Sequence, residues 1–213
     1  MKKSEFTVTG HTGCMGTKAN SLESIVAAAQ IGATIVEFDL RYSADGTPVL
    51  SHDSPVGGEV TLDEAFATVK GFADLQVNVD VKDTSHLEKV LPLAEKHGLA
   101  DRFFYTGIFE KDVDSVRQKS PCVKYYLNAK VRKLQTKRYL RTLVKKIQDS
   151  GAVGINFNHK TATKKLLDTF RDNGLQVSLW TVDTPADMQR VIALSPDNIT
   201  TRHPDELINF LKK

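Results

Sequence analysis

The chain has 213 residues, 40% of them hydrophobic and 26% charged, which suffices for one domain with a sizeable core and is too short for two independent ones. A count of 29 Lys and Arg against 26 Asp and Glu gives a formal charge of +3 without a continuous basic track, so nucleic acid is not an expected partner. No apolar stretch reaches the roughly 18 residues of a membrane span, Met1-Lys2-Lys3 leads into Ser4-Glu5-Phe6-Thr7 rather than an apolar leader, and two cysteines, Cys14 and Cys122, make no disulfide framework, so a cytoplasmic setting is expected.

Short β-branched runs alternate with amphipathic segments. Phe6 to His11 reads as a strand, followed by a helix from Ser21, which can cap it, to Gly32, which stops it. Thr34 to Leu40 is the second strand, and Asp45-Gly46 before Pro48-Val49-Leu50-Ser51-His52 signals a hairpin excursion. A Thr61-Leu62-Asp63-Glu64 capping box opens a helix to Lys70, and Leu75 to Lys82 alternates as a third strand. Strands then follow at about Arg102–Ile108, Cys122–Asn128, Val153–Asn158, Gln176–Val182 and Asn198–Thr201. Helices lie at about Ser85–Lys96, Lys111–Gln118, Tyr139–Asp149, Thr163–Asp172, Pro185–Leu194 and Pro204–Leu211. Eight strand-plus-helix units over residues 1–213 predict a closed (βα)8 TIM barrel, one α/β domain with a β-hairpin after the second strand and its site at the carboxyl ends of the strands. A doubly wound open sheet is the alternative, but no Gly-x-Gly-x-x-Gly follows the first strand.

On a barrel, polar residues at strand ends converge. The first strand ends at His11. Glu37 and Asp39, at i and i+2, share one face of the second, and Asp80 and Lys82 do the same on the third. With Asp45-Gly46 as the tip, the hairpin sets His52 about opposite Asp39. Three converging carboxylates repel one another unless a cation joins them, and an all-oxygen set suits one hard divalent ion, Mg or Ca, better than zinc. Two histidines and a lysine beside such an ion suit phosphoryl chemistry.

At these residues the chain resembles the glycerophosphodiester phosphodiesterase family. The resemblance is carried by His11-Thr12-Gly13, Asn20-Ser21-Leu22-Glu23-Ser24, Val36-Glu37-Phe38-Asp39-Leu40, Asp45-Gly46-Thr47-Pro48-Val49, His52-Asp53, Val79-Asp80-Val81-Lys82, Leu179-Trp180-Thr181-Val182 and Ile199-Thr200-Thr201-Arg202-His203-Pro204-Asp205, in order and nearly end to end. It implies a (βα)8 barrel in which Glu37, Asp39 and Asp80 bind one divalent metal and His11 and His52 are the acid–base pair. It further implies that Lys82 faces the phosphate and Trp180 lines the pocket. The reaction implied is hydrolysis of a small or lipid-derived phosphodiester, typically to sn-glycerol 3-phosphate and an alcohol.

The chain departs from the family pattern in four places. Thr12 stands where the family has an arginine on the phosphate, Arg202 stands where the last strand usually ends in Asp, and Asp80 replaces a Glu. The stretch Asp53 to Thr61 is short, which leaves the mouth open. Thr12 can donate one neutral hydrogen bond, and Arg202, on the adjacent strand, is expected to take over the lost phosphate contact. Two other readings stand beside hydrolysis: cleavage through a cyclic phosphate, and a catalytically inactive barrel that binds a phosphodiester. The basic run from Lys130 to Arg141 reads as a solvated loop, with contact to anionic substrate or lipid headgroups as its other reading. Oligomeric state is not legible.

Overall fold

A computed structural model describes residues 6–212; the amino-terminal stretch read above for a leader, residues 1–5, and Lys213 lie outside the described residues. The elements follow in the order β1 (Thr7–Gly10), α1 (Leu22–Gln30), β2 (Ile35–Tyr42), β3 (Pro48–Leu50), α2 (Leu62–Lys70), β4 (Gln76–Val81), α3 (Val90–His97), β5 (Phe103–Ile108), α4 (Val113–Lys119), β6 (Tyr125–Asn128), α5 (Lys137–Ser150), β7 (Gly154–Asn158), α6 (Lys164–Arg171), β8 (Gln176–Trp180), α7 (Pro185–Ile192), β9 (Asn198–Thr201) and α8 (Pro204–Leu211). All strands but β3 are parallel, in the order β1-β9-β8-β7-β6-β5-β4-β2, and β1 pairs with β2 to close the ring. The fold is the expected eight-stranded TIM barrel, with β3 outside the ring, antiparallel to β2.

Strands buried on both faces explain the near-continuous burial of β2 from Ile35 to Leu40. Its outward residues pack beneath the helices, with the Phe38 ring 6.3 Å from that of Phe66 on α2. Most of the inward residues are polar. Thr9, Ser178 and Thr200 gather around Asn198, whose amide accepts from Thr9 at 2.8 Å and donates to Ser178 at 3.0 Å. Higher in the barrel Thr106 bonds Asn78 and Asp80, and Asn156 donates to Asn128 at 3.0 Å. Barrel interiors are commonly filled by branched apolar residues; here hydrogen-bonded small polar groups fill much of it and form a polar floor under the site.

Two local features depart from the sequence reading. The hairpin loop spans three residues, Ala44 to Gly46, because Gly46, at φ 77°, donates to the Ser43 carbonyl and Ser43 then pairs with Thr47. Asp45 locks the turn by accepting from Ser43 and from the Thr47 amide, which pushes its carboxyl down to about 2. Leu40 therefore faces Leu50, and Asp39 faces Ser51 rather than His52. Helix α3 begins at Val90 behind a 3-10 turn, Leu87–Lys89, instead of at Ser85. Pro92 sits in its first turn, where the missing N–H costs nothing, so the α-helix starts late.

Candidate active site

The carboxyl ends of the strands surround a cavity of about 510 Å³, lined among others by His11, Glu37, Asp39, His52, Asp80, Lys82, Trp180 and Arg202. Glu37 and Asp39 project inward from β2, and the β2–β4 register sets Asp39 beside Asp80. One carboxylate oxygen from each of Glu37, Asp39 and Asp80 lies within 4.8 Å of the others. Metal–oxygen bonds of about 2.0–2.6 Å allow two ligands of one ion to sit that far apart, so the trio fits a hard divalent cation. Burial first, then Asp39 and Asp80, raise the Glu37 carboxyl well above its usual range, against the Thr12 amide, which donates to it at 2.8 Å. A cation removes that conflict.

Lys82 lies 3.0 Å from Asp39 and 2.5 Å from Asp80. Burial works against its charge, but the two carboxylates outweigh burial and raise its pKa, so it stays an ammonium. Asp80 is fixed on its other oxygen by Thr106 at 2.6 Å. Beneath it Gly107, at φ 75°, admits no side chain, since a Cβ would meet the Val81 carbonyl at 2.4 Å.

His11 Nδ1 lies 2.9 Å from the Thr12 carbonyl and 3.8 Å from Glu37. A bond to a carbonyl requires Nδ1 to carry the proton, which leaves Nε2 with its lone pair. Burial is the main reason the ring's pKa is lowered, with Arg202 adding to it, while the Thr12 carbonyl and Asp39 and Asp80 oppose. His52 stands at the rim with its side chain 68% exposed and its Nδ1 3.0 Å from Asp53.

The remaining expected residues divide. Trp180 lines the cavity, and its Nε1, like Asn156 Oδ1, is buried without a partner among the described residues. Arg202 lines it too, held by Asp183, which accepts from its backbone amide and its guanidinium, both at 2.8 Å. Thr12 does not line the cavity: its hydroxyl accepts from the Asn20 amide at 2.5 Å.

Three residues that the sequence reading left without a role take part. Asn20, at φ 55°, grips Asp39 from both sides. Asp183 orients Arg202, and Arg41 lines the cavity while donating to the His52 carbonyl at 2.8 Å. For Asn20 the signal was present, an Asn immediately before the Ser21 cap, since Asn tolerates the left-handed region. Asp183 lies past the end of β8 with nothing in the local pattern to mark it.

A model of the glycerophosphoryl diester phosphodiesterase family matches residues 11–90 and 73–206. The chain belongs to the glycerophosphoryl diester phosphodiesterase family. Membership places it among the phosphoric diester hydrolases. It is 23% identical to a glycerophosphodiester phosphodiesterase of Caldanaerobacter subterraneus subsp. tengcongensis, over 91% of this chain and 92% of that one. Solved structures share the fold. A glycerophosphodiester phosphodiesterase from Parabacteroides distasonis has a TM-score of 0.77 at 19% identity over 99% of this chain and 98% of that one. An Oleispira antarctica phosphodiesterase in complex with the product sn-glycerol-3-phosphate has a TM-score of 0.80 at 16% identity over 97% of each chain. Among the described residues no helix is long and apolar enough to cross a membrane.

Proposed function

We propose that this family member hydrolyses glycerophosphodiesters to sn-glycerol 3-phosphate and an alcohol, with one divalent ion, Mg or Ca, held by Glu37, Asp39 and Asp80. The observation that carries the reading is the cluster of three carboxylates within 4.8 Å beside His11 and Lys82, at the barrel's catalytic end. The Oleispira relative with its bound product supports the substrate class.

Glu37, Asp39 and Asp80 would hold the ion, which when bound would supply positive charge to the phosphate's non-bridging oxygens. Lys82, kept charged by Asp39 and Asp80, faces the same oxygens from the cavity wall. Neutral His11, with its free Nε2, takes the proton of the attacking water, and the Thr12 carbonyl holds the ring in that tautomer. His52, whose Nδ1 lies 3.0 Å from Asp53, gives a proton to the leaving oxygen. Arg202, oriented by Asp183, binds the phosphate in place of the family's arginine.

The test is turnover of glycerophosphocholine and glycerophosphoethanolamine by metal-stripped protein with Mg or Ca restored, beside His11→Ala and Glu37→Ala. Release of glycerol 3-phosphate that requires metal and vanishes in both variants is the expected result. Folded wild-type protein that turns over neither diester with either metal overturns the reading.

A further inference from the structure

The cations of the loop after β6 are a group of charges that the proposed reaction leaves unused. They line a groove of about 980 Å³ next to the catalytic cavity. Cavity and groove share Phe109, Lys111 and Asn128 at the ends of β5 and β6, so a ligand bound in one extends into the other without leaving the surface. Five cations, Lys111, Lys130, Arg132, Arg138 and Lys146, face this groove against one acid, Glu110. Glu110 is occupied by Lys146. Lys111, Lys130, Arg132 and Arg138 have no ion pair among the described residues.

The loop that carries them is anchored. Gln135 is buried and donates to the Thr161 carbonyl at 2.7 Å and the Arg132 carbonyl at 3.3 Å, while its own carbonyl accepts from Lys165 at 2.7 Å. The Tyr139 hydroxyl accepts from the Arg132 amide at 3.1 Å, and the Arg132 guanidinium lies 5.6 Å from the centre of the Tyr139 ring. Thr136 caps α5 by accepting from the Tyr139 amide at 3.1 Å. On an unanchored loop like charges separate; on a pinned backbone they stay together and repel, a cost that an anion bound among them reverses.

We propose that this groove is a subsite for a second phosphate carried by the diester, with Lys130, Arg132 and Arg138 as its specificity-determining residues. This rests on the hydrolytic reading above and narrows its substrate class. The favoured substrate bears a further phosphate beyond the scissile one, and a choline- or ethanolamine-bearing diester brings a cation that the groove repels.

The experiment compares kcat/KM for glycerophosphocholine and bis(glycerophospho)glycerol, which carries two phosphodiester groups, in wild type and in a Lys130→Gln, Arg132→Gln, Arg138→Gln variant. A Lys130→Gln, Arg138→Gln double variant keeps the Arg132–Tyr139 contact should the triple change unsettle the loop. Wild type is expected to favour the bis-diester by about tenfold at low salt, through KM, with the preference falling to about twofold in the variants and in high salt. Glycerophosphocholine kcat/KM holds or rises in both variants, because the cations removed only repel its choline. Equal kcat/KM for the two substrates in wild type, or an equal loss on both in the variants, overturns the subsite. If folded wild type hydrolyses neither, the hydrolytic reading has failed, and calorimetric binding of the bis-diester then decides the subsite: cation-dependent binding supports it and none overturns it. Leu134, 77% exposed on the same loop, makes a lipid surface the competing source of phosphate. Cation-dependent sedimentation with phosphatidylglycerol vesicles, without preference for the soluble bis-diester, overturns the subsite in favour of that surface.

Discussion

Asn20 holds Asp39 by two hydrogen bonds of opposite sense: its side-chain nitrogen donates to the Asp39 carboxylate at 2.9 Å, and its side-chain oxygen accepts from the Asp39 amide at 3.0 Å. Asn20 thus orients a residue of the carboxylate cluster without belonging to the cluster. Replacing Asn20 with Ala should weaken metal binding about 10–100-fold, the usual cost of losing an outer partner of a ligand. Titration calorimetry with Mg or Ca checks this, and unchanged affinity would show that Asp39 needs no such support.

Glu37 carries the opposite liability, a buried carboxylate crowded by two others. Without metal, Glu37→Gln removes a charge that the fold must bury, and the thermal midpoint of the stripped protein should rise or hold. Added Mg or Ca should raise the Tm of wild type and leave that of Glu37→Gln unmoved, because a ligand stabilises only the state that binds it. A stripped Glu37→Gln protein that melts well below wild type would contradict the charge argument.

Arg202 and Thr12 separate cleanly in the cavity. Arg202 faces it with its guanidinium held by Asp183, while the Thr12 hydroxyl is committed to Asn20. Arg202→Ala should lower kcat/KM about 100-fold, the scale of losing one charged donor to the reacting phosphate, and Thr12→Ala about tenfold or less, by loosening Asn20. Equal, small effects on glycerophosphocholine hydrolysis would remove Arg202 from the reaction.

His159, buried after β7, accepts from Arg190 at 2.8 Å on Nδ1 and is therefore neutral. Burial lowers its pKa, chiefly against the opposing pull of Asp187, while Arg190 and Lys160 lower it further. The unfolded chain takes up this proton near 6.5 and the folded chain only at lower pH, so its contribution to stability is full above 6.5 and is lost as pH falls below that value. Urea midpoints at about pH 7.5 and about pH 5 should differ less in His159→Gln than in wild type. An identical acid dependence in the two would place the acid sensitivity elsewhere.

The alternation that marks the barrel is local. Glu37 and Asp39 at i and i+2 share a face in any strand, and eight such strands with capped helices between them leave few ways to bury both faces of the sheet. The strand positions, the inward carboxylates of β2 and β4, and the convergence of His11 with them were therefore readable from the chain alone. One residue of turn length was not: the three-residue loop closed by Gly46 moved the partner of Asp39 from His52 to Ser51 and left His52 at the open rim.

Closure decided the rest. Asn20 with Asp39, Asp183 with Arg202, and Gln135 with Thr161 and Lys165 meet across connections that no periodicity relates, because the groups that meet are carried by different strands, loops and helices. The same closure turned a basic run, indistinguishable in sequence from a solvated loop, into the wall of a groove that opens on the catalytic cavity. Which residues face the barrel axis follows from the order of residues along each strand, since strand geometry repeats every two residues. Which of them touch was set by closure, since contact between strand ends depends on the register and tilt of the whole ring.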